Sequence, residues 1–318
     1  MNPLVSVIIP TFNRARVVGR AIDSVLRQTY PCVEVIVVDD GSADDTAEVL
    51  QAYGRAIVYV RQDNAGPSAA RNRGVRESTG ELVAFLDSDD AWLTTKLERQ
   101  VALLQRASEQ VPCCLCNTLM RTPDAKEESS FGIAWLEMRE PEGLWLNPAA
   151  VLATRFVLFC QAALIRRPFL LQCGGFDERL RLMEDHDLAL RLALRGPWAF
   201  VREPLAVWSG GDKLSLSAAA MQQPAQLYQS IEYIDRKVLE HEEIPDDSIR
   251  KYLEWDLRRA RRRLWAERLG ASGHVLPRLG AWGITGWDQL QRAWFRRSRS
   301  YPRPETAPLV SSCGVAQG

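Results

Sequence analysis

The first half of the chain alternates short apolar runs with polar turns. Leu4 to Ile9 is β-branched and closed by Pro10, the mark of a strand buried on both faces. Behind it, Val17, Val18, Ala21, Ile22, Val25 and Leu26 fall on one helical face, with Asn13 as the expected N-cap and Pro31 marking the end. Glu34 to Val38 reads as a second strand, stopped by Asp39-Asp40-Gly41-Ser42. Thr46 to Tyr53 continues as a helix and Ile57 to Val60 as a third strand. This order predicts a parallel sheet with right-handed crossovers. Ser68 to Glu77 is expected to be helical, and Leu82 to Leu86 a fourth strand ended by Asp87-Ser88-Asp89-Asp90. A helix over Lys96 to Arg106 and a strand through Cys113 to Asn117 follow.

Downstream the rhythm weakens. Arg121 to Trp145, rich in Pro, Gly and charge, reads as a long loop; regular structure is expected again from Phe156 to Arg166 and as a helix over Asp185 to Arg195. Past Trp208 two helices are predicted, Gln223 to His241 and Ser248 to Leu269, with Pro224 at the first helical position of the former. The last residues, 301–318, are expected to be disordered.

Composition narrows the class. The 318 residues suit one large α/β domain with an appendage, and 46% hydrophobic with 25% charged content is that of an ordinary folded chain. Forty basic and forty acidic residues give zero net charge, which argues against a nucleic-acid binder. Seven cysteines, mostly in apolar runs, suit buried reduced thiols better than a disulfide framework, and Cys113-Cys114-x-Cys116 has no matching second pair for zinc. No run of about eighteen apolar residues occurs, and Leu4 to Ile9 is too short for a signal peptide, so a soluble, cytoplasmic protein is expected.

The candidate chemistry lies in the carboxylates. Asp39-Asp40 and Asp87-x-Asp89-Asp90 each follow a buried strand, and ligands of open parallel sheets bind at the carboxyl ends of strands. Carboxylates gathered on one edge repel one another unless a cation sits among them, and hard divalent cations bind through one or two carboxylates with phosphate oxygens completing the shell. For any one Asp taken singly, a cap or turn serves as well.

In these motifs the chain resembles family 2 glycosyltransferases of the GT-A fold, a mostly parallel Rossmann-like α/β sheet flanked by helices. The resemblance rests on Val5-Ser6-Val7-Ile8-Ile9-Pro10-Thr11-Phe12-Asn13-Arg14, Val37-Val38-Asp39-Asp40-Gly41-Ser42, Gly66-Pro67-Ser68-Ala69-Ala70-Arg71-Asn72-Arg73-Gly74 and Phe85-Leu86-Asp87-Ser88-Asp89-Asp90. Gly174-Gly175-Phe176-Asp177-Glu178, leading into Glu184-Asp185-His186-Asp187-Leu188, completes it. It covers about residues 4–215 and implies a catalytic domain over 1–215, with a nucleotide-sugar half (1–117) and an acceptor half (118–215); the helical patterns past Trp208 then form an extension over 216–300. It implies a nucleoside-diphosphate-sugar donor, UDP before dTDP or GDP, touched by Pro10, Thr11, Asn13, Arg14, Asp39 or Asp40, Asp87 and Ser88. Arg71 is either a diphosphate contact or an ion-pair partner of the acidic edge. Asp87-x-Asp89 resembles the DxD motif, in which Asp89, with Asp87, holds Mg2+ or Mn2+. Asp185 matches the catalytic base, with Glu184 as the fallback, and the implied reaction is a single inverting displacement onto a saccharide, lipid-linked or other hydroxyl acceptor. The implied setting is biosynthesis of a polysaccharide, glycolipid or other cell-envelope glycoconjugate.

Two departures stand out. The Gln-x-x-Arg-Trp motif of processive synthases is missing, since Gln291-Arg292-Ala293-Trp294 has the wrong spacing, so one sugar per encounter is expected. Trp208 to Ser215 also lacks the His that completes the metal shell in some relatives, leaving Asp212 or water for that place. In the extension, Leu253, Leu257, Ala260 and Leu264 make an apolar stripe beside Arg258, Arg259, Arg261, Arg262, Arg263 and Arg268. The stripe either packs on the catalytic domain or lies on the inner face of a membrane. Two alternatives remain: a nucleotidyltransferase, against which Thr11-Phe12-Asn13-Arg14 offers neither Gly nor Lys for a triphosphate, and a non-catalytic sugar-nucleotide binder. A phosphoacceptor module would leave Asp89 and Asp185 without a role.

Overall fold

A computed structural model describes residues 2–121, 127–209, 224–271 and 302–309. Strand β1 (Val5–Thr11) is buried along its whole length, as its continuous apolar sequence requires. It pairs in parallel with β2 (Val33–Asp39) and β4 (Leu82–Phe85), and β2 pairs in parallel with β3 (Val58–Arg61). Helices α1 (Val18–Leu26), α2 (Thr46–Gln51) and α3 (Pro67–Glu77) connect these strands, as the alternating pattern predicts. Pro67 opens α3 at a position where its missing N–H costs nothing. Asn13 is not the cap of α1: the N-cap is Val17, four residues later, and Asn13 sits at φ +52° with its side chain turned to the next loop.

The sheet continues beyond β4 with mixed polarity. β9 (Ala163–Arg166) runs antiparallel to both β4 and β6 (Cys113–Arg121), and β6 pairs in parallel with β10 (Trp198–Trp208). The register of β10 shifts around Pro204, whose ring removes a ladder donor. A two-residue strand, β5 (Ala91–Trp92), pairs with the end of β10. Arg121–Trp145 is not one loop: β7 (Glu127–Ser129), α5 (Ser130–Ile133) and β8 (Glu142–Trp145) lie within it, the last antiparallel to β10. After α6 (Pro148–Leu152), residues 153–159 are irregular, so the regular structure expected from Phe156 begins only with the short turn before β9. The order is β11-β8-β10-β6-β9-β4-β1-β2-β3, where β11 is Thr306–Ala307. Residues 302–309 are therefore not the disordered tail expected: Asn147 Nδ2 donates to the Arg303 carbonyl (2.8 Å), the Glu305 N–H donates to Asn147 Oδ1 (2.8 Å), and β11 pairs with β8.

Helices α4 (Lys96–Arg106), α7 (Arg167–Gln172) and α8 (Glu184–Ala193) join the sheet, and α9 (Pro224–His241) packs on α10 (Asp247–Ala271). Of the apolar stripe of α10, Leu253 and Ala260 are fully buried and Leu257 and Leu264 half-buried; Arg259 pairs with Asp256 and Arg261 with Glu232 (3.2 Å), while Trp265 stays exposed. Cys113, Cys114, Cys116 and Cys160 are buried and unbridged. No helix among the described residues is long and apolar enough to cross a membrane.

Helix α3 lies directly on β1. A Cβ on Gly74 would overlap the Cγ2 of the fully buried, β-branched Ile8 and approach its Cγ1 to 3.1 Å. Gly74→Ala is therefore expected to cost about 1–3 kcal/mol, read as a lower urea midpoint with unchanged slope.

Candidate active site

The parallel register brings Thr11 beside Asp39 and Ile8 beside Phe85, so the segments after β1, β2 and β4 leave from one edge of the sheet. Pro10, Thr11, Asn13, Arg14, Asp39, Asp40, Asp87, Ser88 and Asp89 all gather there. The loops are cross-tied. The Asn13 N–H donates to Ser42 Oγ (2.9 Å), the Ala43 N–H donates to Asn13 Oδ1 (2.8 Å), and the Arg14 N–H donates to Thr46 Oγ1 (3.0 Å).

Asp39 and Asp40 are both buried and both already engaged. Asp39 accepts from the Ser42 N–H (2.8 Å) and the Tyr59 hydroxyl (3.1 Å), with Arg61 at 3.6 Å. Asp40 accepts from Gln62 Nε2 (2.8 Å) and from the N–H groups of Ala65 (2.9 Å) and Gly66 (2.8 Å). Asp40 thus fixes the turn that launches α3. Thr11 Oγ1 is buried with no partner among the described residues.

Arg71 on α3 joins the two halves of the site. Its Nη2 pairs with Asp87 Oδ1 (2.7 Å) and its Nη1 with Glu184 Oε1 (2.8 Å), and the guanidinium lies over the Phe176 ring, 5.2 Å from its centroid. The Arg71 side chain is 6% exposed and Asp87 is 35% exposed. Asp185, in the first turn of α8, accepts from the His186 N–H (2.8 Å). Desolvation, then the neighbouring Glu184 charge, push its carboxyl up to about 7, while Arg71 works against the rise. His186 is buried against Phe156 (ring centroids 5.9 Å apart), and burial lowers its basicity. Asp90 accepts from the Ser209 N–H (2.9 Å), and burial together with Asp87 raises it far above the ordinary carboxylate range.

The sequence reading missed several residues. Lys237 on α9 pairs with Asp177 (3.0 Å) and with the fully buried Asp187, which also pairs with Arg191 (2.5 Å); the Tyr233 hydroxyl donates to Asp177 (2.9 Å). Helix α9 is thus bonded to Asp177 and to Asp187 of α8. Nothing in the local pattern of Tyr233 or Lys237 marks them. Asn72 and Phe176, by contrast, stand inside motifs already singled out. A cavity of about 730 Å³ is lined among others by Val75, Arg76, Leu171, Asp177 and His241, and none of Asp39, Asp40, Asp87, Asp89, Glu184 or Asp185 lines it.

No group of three or more His, Cys, Asp or Glu able to hold a metal occurs among the described residues, and Asp212 lies outside them. The donor set still fits a hard cation: Asp87 and Asp89 are half-buried oxygen ligands at a strand end, enough when phosphate supplies the remainder.

A mostly parallel sheet flanked by helices, with carboxylates converging on the carboxyl edge of its strands, is the architecture of the GT-A type. Residues 6–148 match the family described as Glycosyl transferase family 2. An uncharacterized glycosyltransferase of Rickettsia prowazekii is 32% identical over 187 residues, covering 59% of this chain and 58% of that protein. The chain thus spans little more than half of that relative's length. A Bacillus subtilis glycosyltransferase named for teichuronic acid biosynthesis, TuaG, is 41% identical over 112 residues, covering 34% of this chain and 44% of its own. Among solved structures, S. aureus TarS 1-349 in complex with UDP-GlcNAc superposes with a TM-score of 0.65 at 19% identity, covering 84% of this chain and 81% of its own. A mannosyltransferase from Pyrobaculum calidifontis in complex with GDP-Man and Mn2+ superposes at 0.57 with 20% identity, covering 94% and 82%.

Proposed function

We propose that the chain transfers one sugar from a nucleoside-diphosphate sugar, UDP-linked, to a hydroxyl of a saccharide or lipid-linked acceptor by a single inverting displacement. The observation that carries this is the Asp87–Arg71–Glu184 bridge, which joins the donor-side carboxylates to a helix whose next residue, Asp185, is poised near neutrality. Asp185 takes the proton of the attacking hydroxyl, with Glu184 turned to Arg71 instead. Asp87 and Asp89 would hold Mg2+ or Mn2+, which stabilises negative charge on the departing diphosphate. Thr11, Asn13 and Arg14 line the approach to the base of the nucleotide. A relative named for teichuronic acid biosynthesis supports a cell-surface polysaccharide as the product class.

The test is turnover of a nucleotide-sugar panel by the full chain with and without metal. EDTA is expected to abolish transfer and Mn2+ to restore it. Asp89→Asn should raise the Mn2+ concentration for half-activation about 10–100-fold. A metal-dependent thermal shift with UDP but none with ATP accompanies this reading, by about 2.7 kcal/mol at one hundred times the dissociation constant. ATP-only stabilisation would instead favour nucleotidyl transfer.

A further inference from the structure

Arg71 can bridge Asp87 and Glu184 only while its guanidinium stays in one place, and its own side chain supplies little restraint: four torsions separate Cα from the charge. The restraint comes from the next residue. Asn72 Nδ2 donates to the Phe176 carbonyl (2.9 Å) and to Glu178 Oε1 (2.9 Å), while the Phe176 N–H donates back to Asn72 Oδ1 (2.9 Å). Donor and acceptor of one amide thus hold both backbone groups of a single residue. The turn is pressed tightly on that amide: Gly175 stands at φ +72°, and a Cβ there would come 2.6 Å from Asn72 Oδ1. Phe176, so fixed, is almost fully buried, meets Phe85 at the end of β4 edge to face (centroids 4.9 Å, interplanar 88°) and lies under the Arg71 guanidinium. Phe85 is in turn two residues from Asp87.

We propose that Asn72 is a positioning residue: it clamps the Gly174–Phe176 turn so that the Phe176 ring holds Arg71 between Asp87 and Glu184. Where turnover is read, this rests on the transferase proposal above; the clamp itself does not. The groups facing Asp185 are Glu184, Asp87, Arg71, His186 and the Cys160 thiol. Of these only Arg71 draws its carboxyl toward ionisation by charge, so a loosened guanidinium reports itself as a rise in the Asp185 midpoint.

The experiment is a carboxyl-carbon NMR titration of the full chain labelled at aspartate, with the Asp185 signal assigned through Asp185→Asn. Wild type should titrate at about 7. Asn72→Ala and Phe176→Leu should each move the midpoint up by about one pH unit, the low end of the effect of an opposite charge moving away. The ionised fraction at pH 7 then falls about fivefold, and kcat with it, in excess of any change in KM. Phe176→Leu preserves most of the apolar volume and carries the test if Asn72→Ala fails to fold. An unchanged midpoint in a folded variant overturns the clamp, even if stability or turnover drops. A raised midpoint in variants of a wild type inert with every nucleotide sugar upholds the clamp and overturns the transferase reading.

Discussion

Asp185→Asn is expected to cut turnover about 10³-fold, near the middle of the range for loss of a positioned general base, while leaving metal-dependent UDP binding intact. The amide keeps an oxygen for the His186 N–H, so the first turn of α8 need not rearrange. Wild-type kcat/KM should rise with pH through about 7, since only the ionised carboxylate accepts the proton. The same group makes a stability prediction of opposite direction. Its carboxyl is raised above the ordinary Asp value, so between about pH 4 and 7 the folded chain holds a proton that the unfolded chain has released. Stability therefore falls across that window as pH rises. Asp185→Asn, which cannot ionise, should unfold at a higher temperature than wild type at pH 8, and the gap should narrow at pH 5. A variant that is inactive and also less stable at pH 8 would place Asp185 among structural carboxylates rather than reacting ones.

Arg71→Met has the second largest expected effect, and it falls on fold and site together. Methionine fills much of the same volume but leaves Glu184, 11% exposed, and Asp87 facing each other without a cation. Breaking a buried pair costs roughly 3–5 kcal/mol, and Asp87's partial solvation places the loss near the lower figure. Urea unfolding followed by circular dichroism reads this. The pH–rate profile supplies the second measurement: without Arg71, Asp185 ionises at higher pH, so the acid limb should shift upward. Arg71→Lys should recover little, because one ammonium cannot span both carboxylates as the forked guanidinium does.

The strands β1 to β4 and the helices between them were legible because each is long enough, and buried enough, to leave an unbroken apolar run or a clean helical face. The 121–145 region was not. Its strands β7 and β8 are three and four residues long, the first largely exposed, too short for periodicity to separate them from the Gly- and Pro-bearing turns around them. Antiparallel β9 was likewise invisible as to direction, since strand polarity is set by tertiary pairing. At the site, the acidic clusters and Arg71 were readable as charge at strand ends. Their division of labour was not: nothing in Val37-Val38-Asp39-Asp40 says that Asp40 spends both oxygens on the 62–66 turn. Lys237 shows the same limit from a distance, as its partners Asp177 and Asp187 lie far back in the chain.

The pairing of β11 with β8 makes the far C-terminal stretch a stopper for the sheet. Strand β8 is one ladder from the rim, and the backbone carbonyl of Ala307 sits so close over Gly143 that a side chain there would collide with it. Stripped of that stopper, β8 presents a row of unpaired amide and carbonyl groups, a template on which a neighbouring molecule can add its own strand. Proteolytic clipping ahead of Pro302 thus threatens the monodispersity of a preparation before it touches the chemistry.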